Sequence, residues 1–162
     1  MKTKYLFLMI GLLASSFLNA QTNTLKRLFD KYENEDHVTI VSISKTMFSL
    51  IPGNIKAGDV DLQHLLPKIE SLLIISSNNS DMREKMSAEF HSMIEKDKDY
   101  EQLMRVKSDK TNVTFNVRKK GNLINELIML VIDEKDFVAI QLLGNFTISD
   151  IENIAKDMGK IQ

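Results

Sequence analysis

The last third of the chain contains four short runs of alternating or apolar residues, and this pattern limits the possible folds more than any other feature. Alternation with a period of two is typical of half-buried strands, as in Val113-Thr114-Phe115-Asn116-Val117. Turn-forming residues, Gly121-Asn122 and Asp133-Glu134-Lys135-Asp136, separate the later runs. Short consecutive strands favour antiparallel pairing. The predicted strands are Gln102 to Lys107, Asn112 to Arg118, Ile124 to Ile132 and Phe137 to Leu143.

The residues before these runs predict a mixture of helices and strands. Apolar residues at helical spacing predict one helix over residues 23–33 and a longer one that starts at Asn78-Asn79-Ser80. Two further strands are predicted, over Val38 to Ile43 and Ile69 to Ile75. The longer helix presents one apolar face, formed by Met82, Met86, Phe90, Met93 and Ile94.

Four further segments complete the prediction. Ser44 is expected to cap a short helix that ends at Ile51 and buries Met47, Phe48 and Ile51. Residues 54–61 are expected to form a loop. Residues 62–66 suggest a helical turn that breaks near Pro67, because proline lacks the N–H group. Thr147 or Ser149 is expected to cap a final helix whose buried face is Ile148, Ile151, Ile154, Ala155 and Met158.

These elements together predict an α+β fold with an antiparallel sheet of five or six strands. Helices before and after the strands are expected to pack mainly on one face of the sheet. The run from Leu127 to Ile132 is apolar on both faces, which predicts a central position in the sheet.

The first twenty residues have the three parts of a secretion signal. Lys2 and Lys4 form the positive end, Tyr5 to Leu13 is an apolar run, and Ala20 offers a small residue for cleavage. A membrane anchor is the alternative, but the run is shorter than the ~20 apolar residues that a spanning helix needs. Residues 1–20 are therefore predicted to be a signal peptide and residues 21–162 a single exported domain.

Composition excludes several classes of partner and cofactor for this domain. Removal of Lys2 and Lys4 changes the net charge from −1 to −3, which does not suit nucleic acid. The basic cluster Arg118-Lys119-Lys120 is expected to be solvated beside a turn. The absence of cysteine excludes an N-terminal lipid anchor, thiolate zinc sites and cysteine nucleophiles. No glycine-rich phosphate loop is present, so no cofactor is predicted, and membrane contact is expected only during export.

The arrangement of these runs resembles the domain-of-unknown-function family 4252. The similarity covers roughly residues 24 to 158 and consists of packing patterns. Its main motifs are Tyr100-Glu101-Gln102-Leu103-Met104-Arg105-Val106-Lys107, Val113-Thr114-Phe115, Glu126-Leu127, Leu130-Val131, Phe137, Gly144, Val41-Ser42-Ile43-Ser44-Lys45 and Met47-Phe48. The resemblance implies a small exported protein of Gram-negative bacteria without established enzyme activity. Some members are encoded near alternative sigma-factor genes, which implies a role in envelope-stress signalling by association.

One motif points to catalysis. Ser42-Ile43-Ser44-Lys45 matches the Ser-x-x-Lys spacing, which in β-lactamases places a lysine amine beside a serine hydroxyl on one helical turn. Ser42, however, falls in a predicted strand, and neither Ser-Asp-Asn nor Lys-Thr-Gly occurs in the chain. Ser42 and Lys45 are thus weak catalytic candidates, and the alternative is a helix-capping Ser44 beside a solvated Lys45.

Metal chemistry has little support. The three histidines, His37, His64 and His91, follow one another at intervals of 27 residues. No two of them have the spacing that places a pair on one helix face, so no metal site is predicted. Carboxylates alternate in Asp59-Val60-Asp61 and in Asp97-Lys98-Asp99-Tyr100-Glu101, but the glycine and the distal glutamate of a calcium loop are missing. Met82, Met86 and Met93 are expected to pack in the core.

These observations favour a non-enzymatic binding or adaptor protein of the cell envelope, periplasmic or secreted, whose ligand is another envelope protein or an envelope component. The alternative is a small periplasmic hydrolase that uses a serine or paired carboxylates. A third class, a structural or inhibitor-like module, would present a protruding loop or an exposed apolar patch, and residues 54–61 are the first place to look for such a loop.

Overall fold

The computed structural model describes residues 24–50, 56–57, 60–61, 65–150 and 152. The helices are α1 (Thr24–Tyr32), α2 (Lys45–Leu50) and α3 (Ser80–Lys96), and a 3-10 turn covers Leu66–Lys68. The strands are β1 (Thr39–Ser44), β2 (Lys56–Ala57), β3 (Val60–Asp61), β4 (Ile69–Ser77), β5 (Tyr100–Lys107), β6 (Thr111–Lys120), β7 (Leu123–Asp133) and β8 (Phe137–Phe146).

Six of these strands form one sheet in the order β1-β4-β8-β7-β6-β5. Every neighbouring pair is antiparallel. The predicted α+β fold with an antiparallel sheet of five or six strands is therefore confirmed. β7 and β8 are the two central strands, and the apolar run from Leu127 to Ile132 predicts this position for β7.

The register of the sheet assigns each strand residue to one of two faces. Leu130 of β7 lies opposite Ala139 of β8, and Ala139 lies opposite Ile75 of β4, so these side chains share one face. The adjacent residue Val131 lies opposite Val138 and points to the other side. Both faces of the central strands are apolar, and each face requires its own cover.

α1 and α3 cover the first face. Phe90 of α3 is fully buried, and its ring centroid lies 5.8 Å from that of Phe29 and 5.2 Å from that of Phe137. The predicted apolar face of α3 is confirmed, since Met86, Phe90, Met93 and Ile94 are all buried. The Asn79 side chain caps α3 by accepting hydrogen bonds from the backbone N–H groups of Asp81 and Met82, at 3.1 and 3.0 Å.

A second, smaller cluster covers one end of the other face. Phe48 of α2 and Leu65 pack there with Val117, Ile124, Leu142, Phe146 and Ile69. Gly144 lies beside this cluster in β8, where a Cβ atom would collide with the Lys68 carbonyl and the Phe146 ring. Only glycine fits at this position.

Two predictions in the segment before β4 are wrong. Residues 54–61 contain the paired strands β2 and β3, with Ala57 opposite Val60, rather than a loop. Pro67 lies in the first turn of the 3-10 segment instead of breaking a helix, because the missing N–H group is not needed at that position.

Two side chains predicted to be buried are exposed. Met47 is 55% exposed because α2 turns only Phe48 into the second cluster. Ile148 is 50% exposed at the first turn of the final helix. Thr147 does cap this helix, since its hydroxyl accepts from the Asp150 N–H group at 3.3 Å. The other predicted contacts of the final helix, and of Ile51, lie outside the described residues.

An ion pair fixes the start of the final helix against the 3-10 turn. Lys68 Nζ lies 2.7 Å from the Asp150 carboxylate. Burial would raise the pKa of Asp150, but the hydrogen bonds from Lys68 and Thr147 hold it below its usual value. This contact is therefore fully formed at neutral pH and is lost only as the pH falls through that lowered pKa.

The predicted signal peptide, residues 1–20, lies outside the described residues. Among the described helices, none has the length and apolar character needed to cross a membrane.

Phe90 offers a test of the first core cluster. We expect Phe90→Ala to lower the free energy of unfolding by about 3–5 kcal/mol, because the substitution leaves a cavity between α1, α3 and β8. The exposed Val106→Ala serves as the control and should change it by less than about 0.5 kcal/mol. Urea denaturation followed by circular dichroism measures both, and equal losses would contradict this view of the core.

Candidate functional site

The face of the sheet opposite α1 and α3 is apolar well beyond the part that α2 covers. We call this uncovered part the open face. It consists of Val41, Ile74, Met104, Val106, Val113, Met129, Val131, Val138 and Ile140. Among the described residues, none of these nine side chains joins either core cluster. Val41, Met104 and Val106 are 43%, 38% and 51% exposed, and the other six are partly buried.

The strand register explains why these side chains form one surface. Met104 lies opposite Phe115, which lies opposite Met129, which in turn lies opposite Ile140 and then Ile74. Directly opposed residues in antiparallel strands project to the same face. Six strands about 4.8 Å apart make this face roughly 24 Å wide. The charged residues Glu101, Lys119 and Asp133 lie near the rim of this side, where Lys119 pairs with Glu101.

A cluster of charged and polar side chains lies on the helix-covered side of the sheet. Arg118 donates to the Asp97 carboxylate, and its second terminal nitrogen lies 3.5 Å from Glu126 Oε2. The Gln141 amide donates to Glu126, and both residues are buried. Arg118 was expected to be solvated within a basic cluster, and this prediction is wrong because two carboxylates bind it.

Tyr100 completes this polar cluster. The Arg118 guanidinium carbon lies 4.5 Å from the centroid of the Tyr100 ring, which is a cation–π contact. Burial and the nearby Glu126 carboxylate raise the pKa of Tyr100 far above its usual value, so the phenol stays neutral. Asp97 is one of the alternating carboxylates noted in the sequence. Its side chain accepts a hydrogen bond from Arg118. Arg118 pairs with both carboxylates, and the cluster joins β6, β7 and β8 to the end of α3.

The two weak catalytic candidates lie on different elements. Ser42 lies in β1, opposite Leu73 of β4, whereas Lys45 is the first residue of α2. Both side chains are exposed. The Ser-x-x-Lys mechanism needs both residues on one helical turn, and this arrangement does not provide it. Ser44 is the last residue of β1, directly before α2.

The two described histidines, His37 and His91, lie in different parts of the fold. His37 adopts a positive φ of 63° in the turn before β1, and its carbonyl accepts a hydrogen bond from Ser77. His91 lies on α3, where burial lowers the pKa of its imidazole. His64 lies outside the described residues. The described part of the chain contains no group of three or more histidine or carboxylate residues that could hold a metal ion.

A wide depression of about 1010 Å³ lies between α1 and the end of α3. Both basic and acidic side chains line this depression. Across it, Lys31 Nζ lies 2.6 Å from Glu89 Oε2. Burial would raise the pKa of Glu89, but Lys31 and Tyr32 lower it. Burial and Glu89 raise the pKa of Tyr32. The ion pair joins α1 to α3, and the depression lacks an unpaired buried acid or base.

The open face could be recognised only in part from the sequence. The alternation at Val113, Phe115 and Val117 and the apolar run in β7 indicate apolar residues on both sides of the sheet. Which side the helices cover depends on contacts such as Phe90 with Phe137, which no local pattern encodes.

A protein-family model described as "Domain of unknown function (DUF4252)" matches residues 32–154. Neither the curated proteins nor the solved structures contained a match to the chain.

A double-mutant cycle can test whether the polar cluster is structural. We expect Arg118→Met to lower the free energy of unfolding by about 3 kcal/mol, because Glu126 is left buried without its counter-charge. Arg118→Met with Glu126→Gln should recover at least about 1 kcal/mol, since the glutamine still accepts from Gln141. Urea denaturation of the four proteins gives both values. Losses that simply add would contradict coupling between Arg118 and Glu126.

Proposed function

The chain belongs to the DUF4252 family, and from that premise we propose that it is an exported, non-enzymatic binding module of the cell envelope. Its partner is another envelope protein, which places an apolar surface on the open face. The observation that carries this proposal is the apolar surface that crosses all six strands and whose nine side chains belong to neither described core cluster.

The energetics of the open face favour a protein partner. Completing the burial of one partly exposed Val, Ile or Met side chain contributes roughly 0.5–1 kcal/mol. Nine such side chains together supply a free energy of the same order as the cost of protein association, about 4–15 kcal/mol. Exposed apolar patches of this kind on soluble proteins mark interaction sites.

The polar side chains support binding rather than catalysis. Arg118, Asp97 and Glu126 are engaged with one another. Ser42 and Lys45 lie on a strand and on the following helix. Within the described residues, no observation supports the hydrolase alternative.

The adaptor role in envelope-stress signalling is the finer part of the proposal. It is supported by the family resemblance, since some members are encoded near alternative sigma-factor genes. A surface that binds protein without doing chemistry is what an adaptor requires.

Export can be tested directly. We expect the native protein to be recovered outside the cytosol with its N-terminus near Gln21, because residues 1–20 carry the features of a signal peptide. Cell fractionation with N-terminal mass spectrometry measures both. Recovery from the cytosol with Met1 to Ala20 attached would overturn the export proposal. A variant with Lys2 and Lys4 replaced by glutamate should accumulate uncleaved.

Binding at the open face can be tested by photo-crosslinking in intact cells. A benzophenone amino acid at Met104 or Val131 should yield adducts heavier than the protein alone, because both positions contact the partner. Glu84 serves as the matched control, since its side chain is 79% exposed on α3, on the other side of the sheet. Immunoblotting and mass spectrometry identify the adducts.

Three outcomes would contradict a partner on the open face. Adducts of equal yield from Glu84 would show random contact. A product joined to residues 151–162 of the same chain would show that the protein covers its own face. The absence of any adduct from Met104 and Val131 would show that no partner binds there.

A further inference from the structure

The two edge strands of the sheet differ in how they resist pairing with another strand. An edge strand exposes unpaired backbone N–H and C=O groups, and proteins protect such edges with charged residues and β-bulges. β5 has both devices, since it carries Arg105 and Lys107 and its register with β6 shifts between Gln102 and Met104. β5 is therefore a protected edge.

β1, at the opposite edge, has neither device. Its sequence, Thr39-Ile40-Val41-Ser42-Ile43-Ser44, contains no charged residue. All six of its residues pair with β4 in an uninterrupted register, without a bulge. Among the described residues, β1 pairs with β4 alone, so its second side carries a free row of backbone groups. Four of its six residues are β-branched Thr, Val or Ile, which favour strand pairing.

We infer that β1 pairs antiparallel with β1 of a second copy of this chain, so that the protein is a dimer with a continuous twelve-stranded sheet. A two-fold axis that passes through Ser42 places Val41 opposite the partner's Ile43, and the symmetry repeats this pair. Both residues lie on the side of the sheet that bears the open face. Val41, which is 43% exposed in the single chain, gains an apolar neighbour there.

The protection of β5 explains why such pairing stops at two chains. Pairing of β1 with β5 of another copy would be head-to-tail and would continue into filaments. Arg105, Lys107 and the bulge disfavour that contact, whereas β1 with β1 is an isologous contact that closes on itself. The dimer also joins two open faces side by side, so that each dimer offers a doubled apolar surface.

Charge substitution at Ser42 tests the dimer. The wild-type exported domain, residues 21–162, should have twice the monomer mass in size-exclusion chromatography with light scattering. Ser42→Lys and Ser42→Glu should each dissociate the dimer, raising its Kd by about tenfold or more, because two like charges then lie about 5 Å apart across the axis. A mixture of the two variants should recover the dimer mass, since the opposed charges become complementary.

Val106→Lys is the matched control, because it adds the same charge to the exposed surface of β5 and should leave the dimer mass unchanged. Circular dichroism checks that every variant is folded, which is expected since Ser42 is exposed. A monomeric wild type, an unchanged dimer in Ser42→Lys, or dissociation by Val106→Lys would overturn the inference. The assay contains only this protein, so its result is independent of the partner proposed for the open face.

Discussion

The packing of the central strands β7 and β8 is the constraint on which the rest of the structure depends. Their residues are apolar on both faces, and the antiparallel register sends Leu130 and Ala139 to one side and Val131 and Val138 to the other. The chain has no disulfide to replace packing. Each face of the sheet must therefore be shielded from water by another surface. α1 and α3 cover one face, whereas α2 covers only one end of the other.

The helix-covered face is complete. In the apolar half of this face, the Phe90 ring packs against the rings of Phe29 and Phe137. Its polar half is closed by Arg118, which satisfies Asp97 and Glu126 together. A buried carboxylate is costly without such a partner. We therefore assign this cluster a structural role, although catalytic sites are built from the same types of residue.

The other face and the edges carry the surfaces available for recognition. α2 and Leu65 cover only one end of the apolar side, and Met104, Val131 and Ile140 lie beyond that cover. The two edge strands also differ in their protection against pairing. β5 carries charged residues and a bulge, whereas β1 is uncharged and regular. The two proposed associations rest on this incomplete cover and on this unprotected edge. Both features are products of sheet architecture and need no catalytic group.

Local patterns in the sequence predict most of the secondary elements, the antiparallel sheet and the central position of β7, but not the pairing of β2 with β3. These properties depend on periods of two and 3.6 residues, which are local and can be counted along the chain. The tertiary structure decided which apolar residues are buried. Met47 and Ile148 fit a helical pattern yet are exposed, and Arg118 sits in a basic run yet binds two carboxylates. The exposure of the open face likewise depends on tertiary packing. Exposure depends on which surface packs against a residue from far along the chain, and a local period carries no information about that surface.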